Sequence, residues 1–323
     1  MPSETAPASP GLPLIDIRGL RGADPVAQRA VADQLRQACL NHGFFYVTHH
    51  GIDAALIAQV FAASQRFFDL GMDDKLAVDK RLSPCNRGYE PLKAQTLESG
   101  APPDLKESFY IGAEVPPDDP RVQAGRFNTG PNQWPAALPD FAPVMTRYHA
   151  AALALGETLM RGLALSLDLP PDHFDAYLED PSATLRLLHY PPQPANPQPG
   201  EKGCGAHTDF GGITLLLQDD AGGLQVWDSQ QRHWIDAPPV PGAFVVNIGD
   251  LLARWTNDRY VSTLHRVINL SGRERYSVPF FFTGNLQHRV ECLPTCLAPG
   301  EAPKYPAVTV EEHQIACYRR TYG

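Results

Sequence analysis

GCGAHTDFGGITLLLQ, residues 203–218, is the stretch on which the reading of this chain turns. A glycine-rich start leads into an apolar run, and between them stand His207 and Asp209, two positions apart. On a strand, positions i and i+2 point to the same face, so an imidazole and a carboxylate project together toward one point. The same texture continues on both sides: ATLRLLHY (183–190), GLQVW (223–227), HWIDAPP (233–239), GAFVVNI (242–248), TLHRVIN (263–269) and RYSVPFFFT (275–283). Short β-type runs at this spacing, separated by Gly, Pro, Asp and Asn, predict an antiparallel sandwich or small barrel.

Upstream the pattern differs. LPLIDI (12–17) reads as a first strand, and residues 25–41 carry apolar positions at helical spacing. Asp24 is placed as the N-cap of that helix and Pro25 in its first turn. HGFFYVTHHGI (42–52) is β-rich, and 53–70 reads as a second amphipathic helix. Residues 71–140 are broken by Pro, Gly, Asp and Asn yet keep aromatics, the signature of an ordered cover over a site. Residues 141–168 form the longest helical pattern, and 309–320 reads as a closing helix. The expected class is α+β, with a β core, a mainly helical N-terminal cap and a C-terminal helix. The expected division is a disordered leader (1–11), a cap (12–180), a core (181–290) and a C-terminal extension packed on it (291–323). With no linker between the halves, they should fold as one unit.

Composition narrows the function. The 323 residues hold 27 Lys+Arg against 36 Asp+Glu, a net charge of −9. An acidic chain without a basic stripe argues against nucleic acid and anionic membranes as partners. No run of about 18 apolar residues exists to span a bilayer. The opening MPSETAPASPGLP lacks the charged and apolar regions of a secretory signal. Six scattered cysteines with no CxxC pair read as reduced thiols, which points to the cytoplasm. A small-molecule substrate and a monomer or weak homodimer complete the expectation.

The chemistry follows from His207 and Asp209. A further histidine would complete a 2-His-1-carboxylate facial triad, the arrangement of non-haem Fe(II) oxygenases, which leaves coordination positions open for co-substrate and dioxygen. His265, in a β-type run 56 residues past Asp209, is preferred. His189, His233 and His288 compete; His189 and Tyr190 point to opposite faces of one strand, and the other two flank turns. Arg275 and Ser277 again share a face and are placed on the strand next to His265. A guanidinium fork beside a hydroxyl is a carboxylate clamp. A buried Arg275 demands an anion, either a ligand or a protein carboxylate.

These residues carry a family resemblance. LPLIDI, NHGFFYVTHHGI, NRGYEP, LRLLHYPP, GAHTDFGGITLLLQDD, WIDAPPVPGAFVVNIGD, TNDRYVSTLHRVIN and RYSVPFFF resemble, in order, the motifs of the isopenicillin N synthase-like Fe(II)/2-oxoglutarate-dependent dioxygenases. The resemblance covers almost the whole chain. It implies a double-stranded β-helix, or jelly roll, with Fe(II) on His207, Asp209 and His265. It implies 2-oxoglutarate on Arg275 and Ser277, helped by Tyr190, with O2 as oxidant and ascorbate as reductant. Many relatives carry Asn two residues before that Tyr, where this chain has Leu188.

The activity implied is oxidative decarboxylation of 2-oxoglutarate to succinate and CO2, coupled to C–H oxidation of a small, polar or amino-acid-like substrate. The alternative within the fold is a four-electron oxidase of the isopenicillin N synthase type, which uses no 2-oxoglutarate. Candidate substrate contacts are Arg87, Tyr89, Glu98, Lys106 and Phe109 from the cap, and Arg186, Phe210, Phe281 and Thr283 from the barrel.

Overall fold

A computed structural model describes residues 11–322, so the leader expected over 1–11 lies, apart from Gly11, outside the described residues. In chain order the main elements begin with β1 (Leu14–Asp16), α1 (Pro25–Asn41), β2 (Phe44–Thr48), α2 (Ala54–Phe68), β3 (Gly88–Glu90) and β4 (Glu107–Gly112). The long helix α3 (Phe141–Ser166) leads into β5 (Ser182–Tyr190), β6 (Cys204–His207), β7 (Ile213–Gln218), β8 (Leu224–Asp228) and β9 (His233–Asp236). The chain closes with β10 (Phe244–Ile248), β11 (His265–Val267), β12 (Arg275–Gly284) and α4 (Val310–Tyr322). The Asp24 carboxylate accepts the Val26 N–H and Pro25 opens α1, as the sequence predicts.

Two sheets form the jelly roll. The larger has eight strands in the order β1-β2-β10-β7-β12-β5-β4-β3, and the smaller four in the order β6-β11-β8-β9. Period-two alternation decides what each face does. On β2, Phe45 and Val47 join the core formed with the helices, where Leu35, Phe67 and Leu159 are also buried. Phe44 and Tyr46 turn the other way, into a second core between the sheets with Leu188, Tyr190, Val226 and Val267. On β12, Val278, Phe280 and Phe282 lie in the helical core. Arg275, Ser277, Pro279 and Phe281 line the space between the sheets.

The strands of the mainly helical cap join the core sheet: β1 and β2 extend one side of the large sheet and β4 and β3 the other, so cap and core share one hydrogen-bonded sheet. One expectation is corrected. Arg275 is not on the strand next to His265: β11 belongs to the small sheet and β12 to the large one. The loop between them crosses from one sheet to the other, so the two side chains line one chamber from opposite sheets.

Candidate active site

His207 is the last residue of β6 and stands directly across from His265 on β11 in the antiparallel register. Their rings lie 4.2 Å apart. Asp209 lies past the strand end, in the turn toward β7, so it is the turn and not a shared strand face that brings its carboxylate to His207. That turn is braced from below, where the Asp250 N–H donates to the Asp209 carbonyl at 2.7 Å. Gly249 allows this approach, since a Cβ there would sit 2.2 Å from the Gly211 carbonyl oxygen.

The ligand atoms converge. Asp209 Oδ1 is 3.7 Å from Nε2 of His207 and 3.7 Å from Nε2 of His265. One donor atom from each of the three residues falls within 4.8 Å of the others, a group able to hold a metal ion. The other half of each side chain is fixed. Nδ1 of His207 lies 2.9 Å from the Gly205 carbonyl and Nδ1 of His265 3.2 Å from the Thr263 carbonyl. An Nδ1–H donated to a carbonyl leaves the Nε2 lone pair free to ligate. Asp209 Oδ2 accepts from Thr214 Oγ1 at 2.6 Å and Asn247 Nδ2 at 2.7 Å, leaving Oδ1 for the metal.

Electrostatics favour the ligating forms. Burial, reinforced by His207 and opposed by Asp209, pushes the His265 imidazole down to about 4. Burial likewise lowers His207. Burial pushes the Asp209 carboxyl up, but the two imidazoles and the Thr214 and Asn247 hydrogen bonds leave it below its ordinary value. Near neutrality the site is thus two neutral imidazoles and one carboxylate, a donor set suited to Fe(II).

From this triad a narrow chamber runs between the sheets to Tyr190, Arg275 and Ser277. Arg275 is wholly buried. Its Nε donates to the Gly222 carbonyl at 2.5 Å, Nη1 to Ser277 Oγ at 3.3 Å and Nη2 to Gln218 Oε1 at 3.3 Å. The guanidinium lies 4.7 Å from the Tyr190 ring centre. Among the described residues no carboxylate forms an ion pair with it, so the protein itself does not neutralise this charge. The competing histidines do not join the triad. His189 sits between Glu107 at 2.8 Å and Glu274 at 2.5 Å on the far face of β5. His288 packs against Tyr177 and Trp255, and His233 is exposed at the start of β9.

On the other side of the triad a cavity of about 480 Å³ opens toward the cap and α4. Arg186, Phe210, Phe281 and Thr283 line it. The remaining candidates lie elsewhere. Tyr89 and Phe109 are fully buried in the helical core against Phe67. Arg87 faces a side recess and donates to the Cys85 and Asn128 carbonyls. Lys106 is ion-paired with Asp104 and opens onto the narrow chamber, not the wide one.

Glu98 braces β6. Its carboxylate accepts the Ala206 N–H at 3.0 Å and pairs with Lys202 at 3.0 Å. Since Ala206 adjoins His207, Glu98→Ala should weaken iron retention about tenfold, read as metal content after dialysis against graded chelator. Unchanged retention would show that β6 needs no such brace.

Several wall residues carried no strong sequence signal: Leu97, Tyr110, Phe127 and Asn128 from the cap, and Gln314 and Tyr318 from α4. Thr214 and Asn247, which hold Asp209, face each other across β7 and β10. Each is a lone polar residue in an apolar run, the one signal that would have marked them.

Residues 12–137 match the family described as non-haem dioxygenase in morphine synthesis N-terminal, and 181–284 the 2OG-Fe(II) oxygenase superfamily. The chain is 48% identical over 322 residues to the 2-oxoglutarate-Fe(II) type oxidoreductase hxnY of Emericella nidulans, covering 98% of this chain and 92% of that protein. It is 43% identical to the 2-oxoglutarate-dependent dioxygenase citB of Monascus ruber, over 97% and 96% of the two chains. Among solved structures, a full-length Neurospora crassa protein in complex with alpha-KG and thymine superposes with a TM-score of 0.84 at 32% identity, covering 96% of this chain and 97% of that one. With the sheets, the triad and these relatives in agreement, the chain belongs to the isopenicillin N synthase-like 2-oxoglutarate and Fe(II)-dependent oxygenase superfamily, whose members use Fe(II), 2-oxoglutarate and O2.

Proposed function

We propose that this enzyme couples oxidative decarboxylation of 2-oxoglutarate, to succinate and CO2, to C–H oxidation of a small polar ring compound. The observation that carries this reading is Arg275: a fully buried guanidinium with no carboxylate partner among the described residues, at the end of a chamber that begins at the triad. A buried unpaired charge is strongly unfavourable, and a dicarboxylate reaching from the metal to Arg275 supplies the missing anion. His207, Asp209 and His265 hold Fe(II), and Arg275, Ser277 and Tyr190 hold the far carboxylate of 2-oxoglutarate. Bound together with O2, these groups supply the oxidising chemistry. The chain's own contribution is placement and exclusion of water, since misplacing a reacting C–H by about 1 Å can cost on the order of a hundredfold.

The wide cavity favours a ring over an amino acid. Tyr110, Phe127, Phe210, Phe281 and Tyr318 give it aromatic walls, while Ser182 and Thr184 add neutral polar groups. Its cations are already matched, Arg186 by Glu90 at 2.9 Å and Arg320 by Asp250 at 3.3 Å. A zwitterion would find neither charge unpaired, whereas a polar ring finds faces to stack on. The complex of the Neurospora relative with thymine supports the same class. No helix among the described residues is long and apolar enough to cross a membrane, and all six cysteines are free, which suits the reducing cytoplasm.

The test is spectroscopic, then stoichiometric. Under anaerobic conditions, Fe(II) and 2-oxoglutarate should together give the weak visible charge-transfer band of the chelate. On admitting O2 with substrate, succinate should form in step with product. Substrate oxidation without succinate would establish the four-electron oxidase instead.

A further inference from the structure

We propose that Gln314 is a substrate-recognising residue, and that the ring compound presents a carbonyl or carboxylate oxygen to its side-chain amide. This rests on reading the wide cavity as the substrate chamber. On α4, Gln314, Tyr318 and Thr321 fall at i, i+4 and i+7, one face of a helix, and all three line that cavity. Gln314 is only 6% exposed, and its Nε2 is buried without a hydrogen-bond partner among the described residues. Buried donors in folded proteins are nearly always paired. The donor lies shut off from solvent beside the cavity that Gln314 lines, and a small turn of the side chain brings it to an acceptor that the ligand supplies.

The wall is fixed. His313 Nε2 lies 3.0 Å from the Phe210 carbonyl oxygen, and Glu311 accepts the Phe127 N–H at 2.9 Å. Arg320 ties the same helix to Asp250, whose N–H holds the Asp209 carbonyl. Beside Gln314, the Tyr318 ring stands 5.1 Å from Phe127 and 6.0 Å from Phe210. A planar ring stacked among these faces, with an acceptor oxygen toward α4, satisfies both the aromatic surface and the stranded amide. Such an acceptor also fixes which ring edge is turned from the iron.

The experiment compares the wild-type enzyme with Gln314→Leu, close in size, and Gln314→Glu, which has no donor at neutral pH. Each is loaded anaerobically with Fe(II) and 2-oxoglutarate. Thymine and benzoate are the acceptor-bearing probes and benzylamine the acceptor-free one, with binding read by calorimetry and by perturbation of the visible band. Thymine or benzoate should bind the wild type about tenfold or more tighter than either variant, and benzylamine should not distinguish wild type from Gln314→Leu. The unfolding temperature of Gln314→Leu should match or exceed that of wild type, because a stranded donor has gone; a merely structural glutamine would lower it. Equal affinities in wild type and Gln314→Leu, or no acceptor-bearing probe binding the wild type, would overturn the assignment. Gln314 does not line the narrow chamber, so the band itself reports on 2-oxoglutarate separately. Its absence from all three proteins would condemn the ketoacid reading, while the calorimetry would still decide the role of Gln314.

Discussion

Arg275→Ala should raise the dissociation constant for 2-oxoglutarate by about a hundredfold or more while leaving iron bound. The guanidinium supplies the charge at that end of the chamber, where Tyr190 and Ser277 add hydroxyls. Losing one partner of a buried, hydrogen-bonded charge pair costs roughly 2–5 kcal/mol, and each 1.4 kcal/mol is tenfold in affinity. Anaerobic titration of the visible band measures the change directly, and metal analysis checks the iron. Arg275→Lys should recover part of the loss, since an ammonium keeps the charge but not the two-pronged geometry.

A second measurement separates ligand binding from structure. Without 2-oxoglutarate, Arg275→Met should be at least as stable as wild type, because it removes a buried charge held by the neutral groups of Gly222, Ser277 and Gln218. If Arg275→Ala binds 2-oxoglutarate as wild type does, the narrow chamber is not the ketoacid site.

Where the sequence could be read, a local rule sufficed; where it could not, the missing information was long-range. Asp24 and Pro25 announced α1 because a cap and its helix are neighbours in sequence. The inward set of β12 was legible because Arg275, Ser277 and Phe281 recur at even spacing. GYE and ESFYIG read as short strands, but they are too short to show a period and their partners lie far along the chain, so which face each residue takes was not legible. That cost one residue of register. Phe109 was expected at the substrate, yet β4 turns it into the helical core and presents its neighbour Tyr110 to the cavity. Tyr89 was expected there too, but it is Glu90, next to it on β3, that pairs with Arg186 at 2.9 Å. On a strand a slip of one residue exchanges the two faces. Gln314 could not be read at all, because its meaning depends on a cavity that exists only once α4 has docked.

Asp209→Ala should abolish iron retention at micromolar Fe(II) and reduce turnover by about three orders of magnitude or more. The carboxylate is the only anion in the triad, and the two imidazoles beside it are neutral because burial holds them so. Removing it leaves two neutral ligands for a divalent ion, whose hydration shell then wins. It also strands two buried donors, Thr214 Oγ1 and Asn247 Nδ2, which both point at Asp209 Oδ2. Each such loss costs about 1–3 kcal/mol, so the variant should also unfold at lower temperature. Asp209→Asn tells the two effects apart. Its amide can be oriented to keep an oxygen toward Thr214 and Asn247, which preserves the fold, but that turns its NH2 toward the metal position. It should therefore match wild type in unfolding temperature more closely than Asp209→Ala, yet still lose iron. Metal analysis after gel filtration and a thermal melt of each protein read these outcomes. Full iron content in Asp209→Ala would mean that His207 and His265 find their third ligand elsewhere, and the facial triad would have to be redrawn.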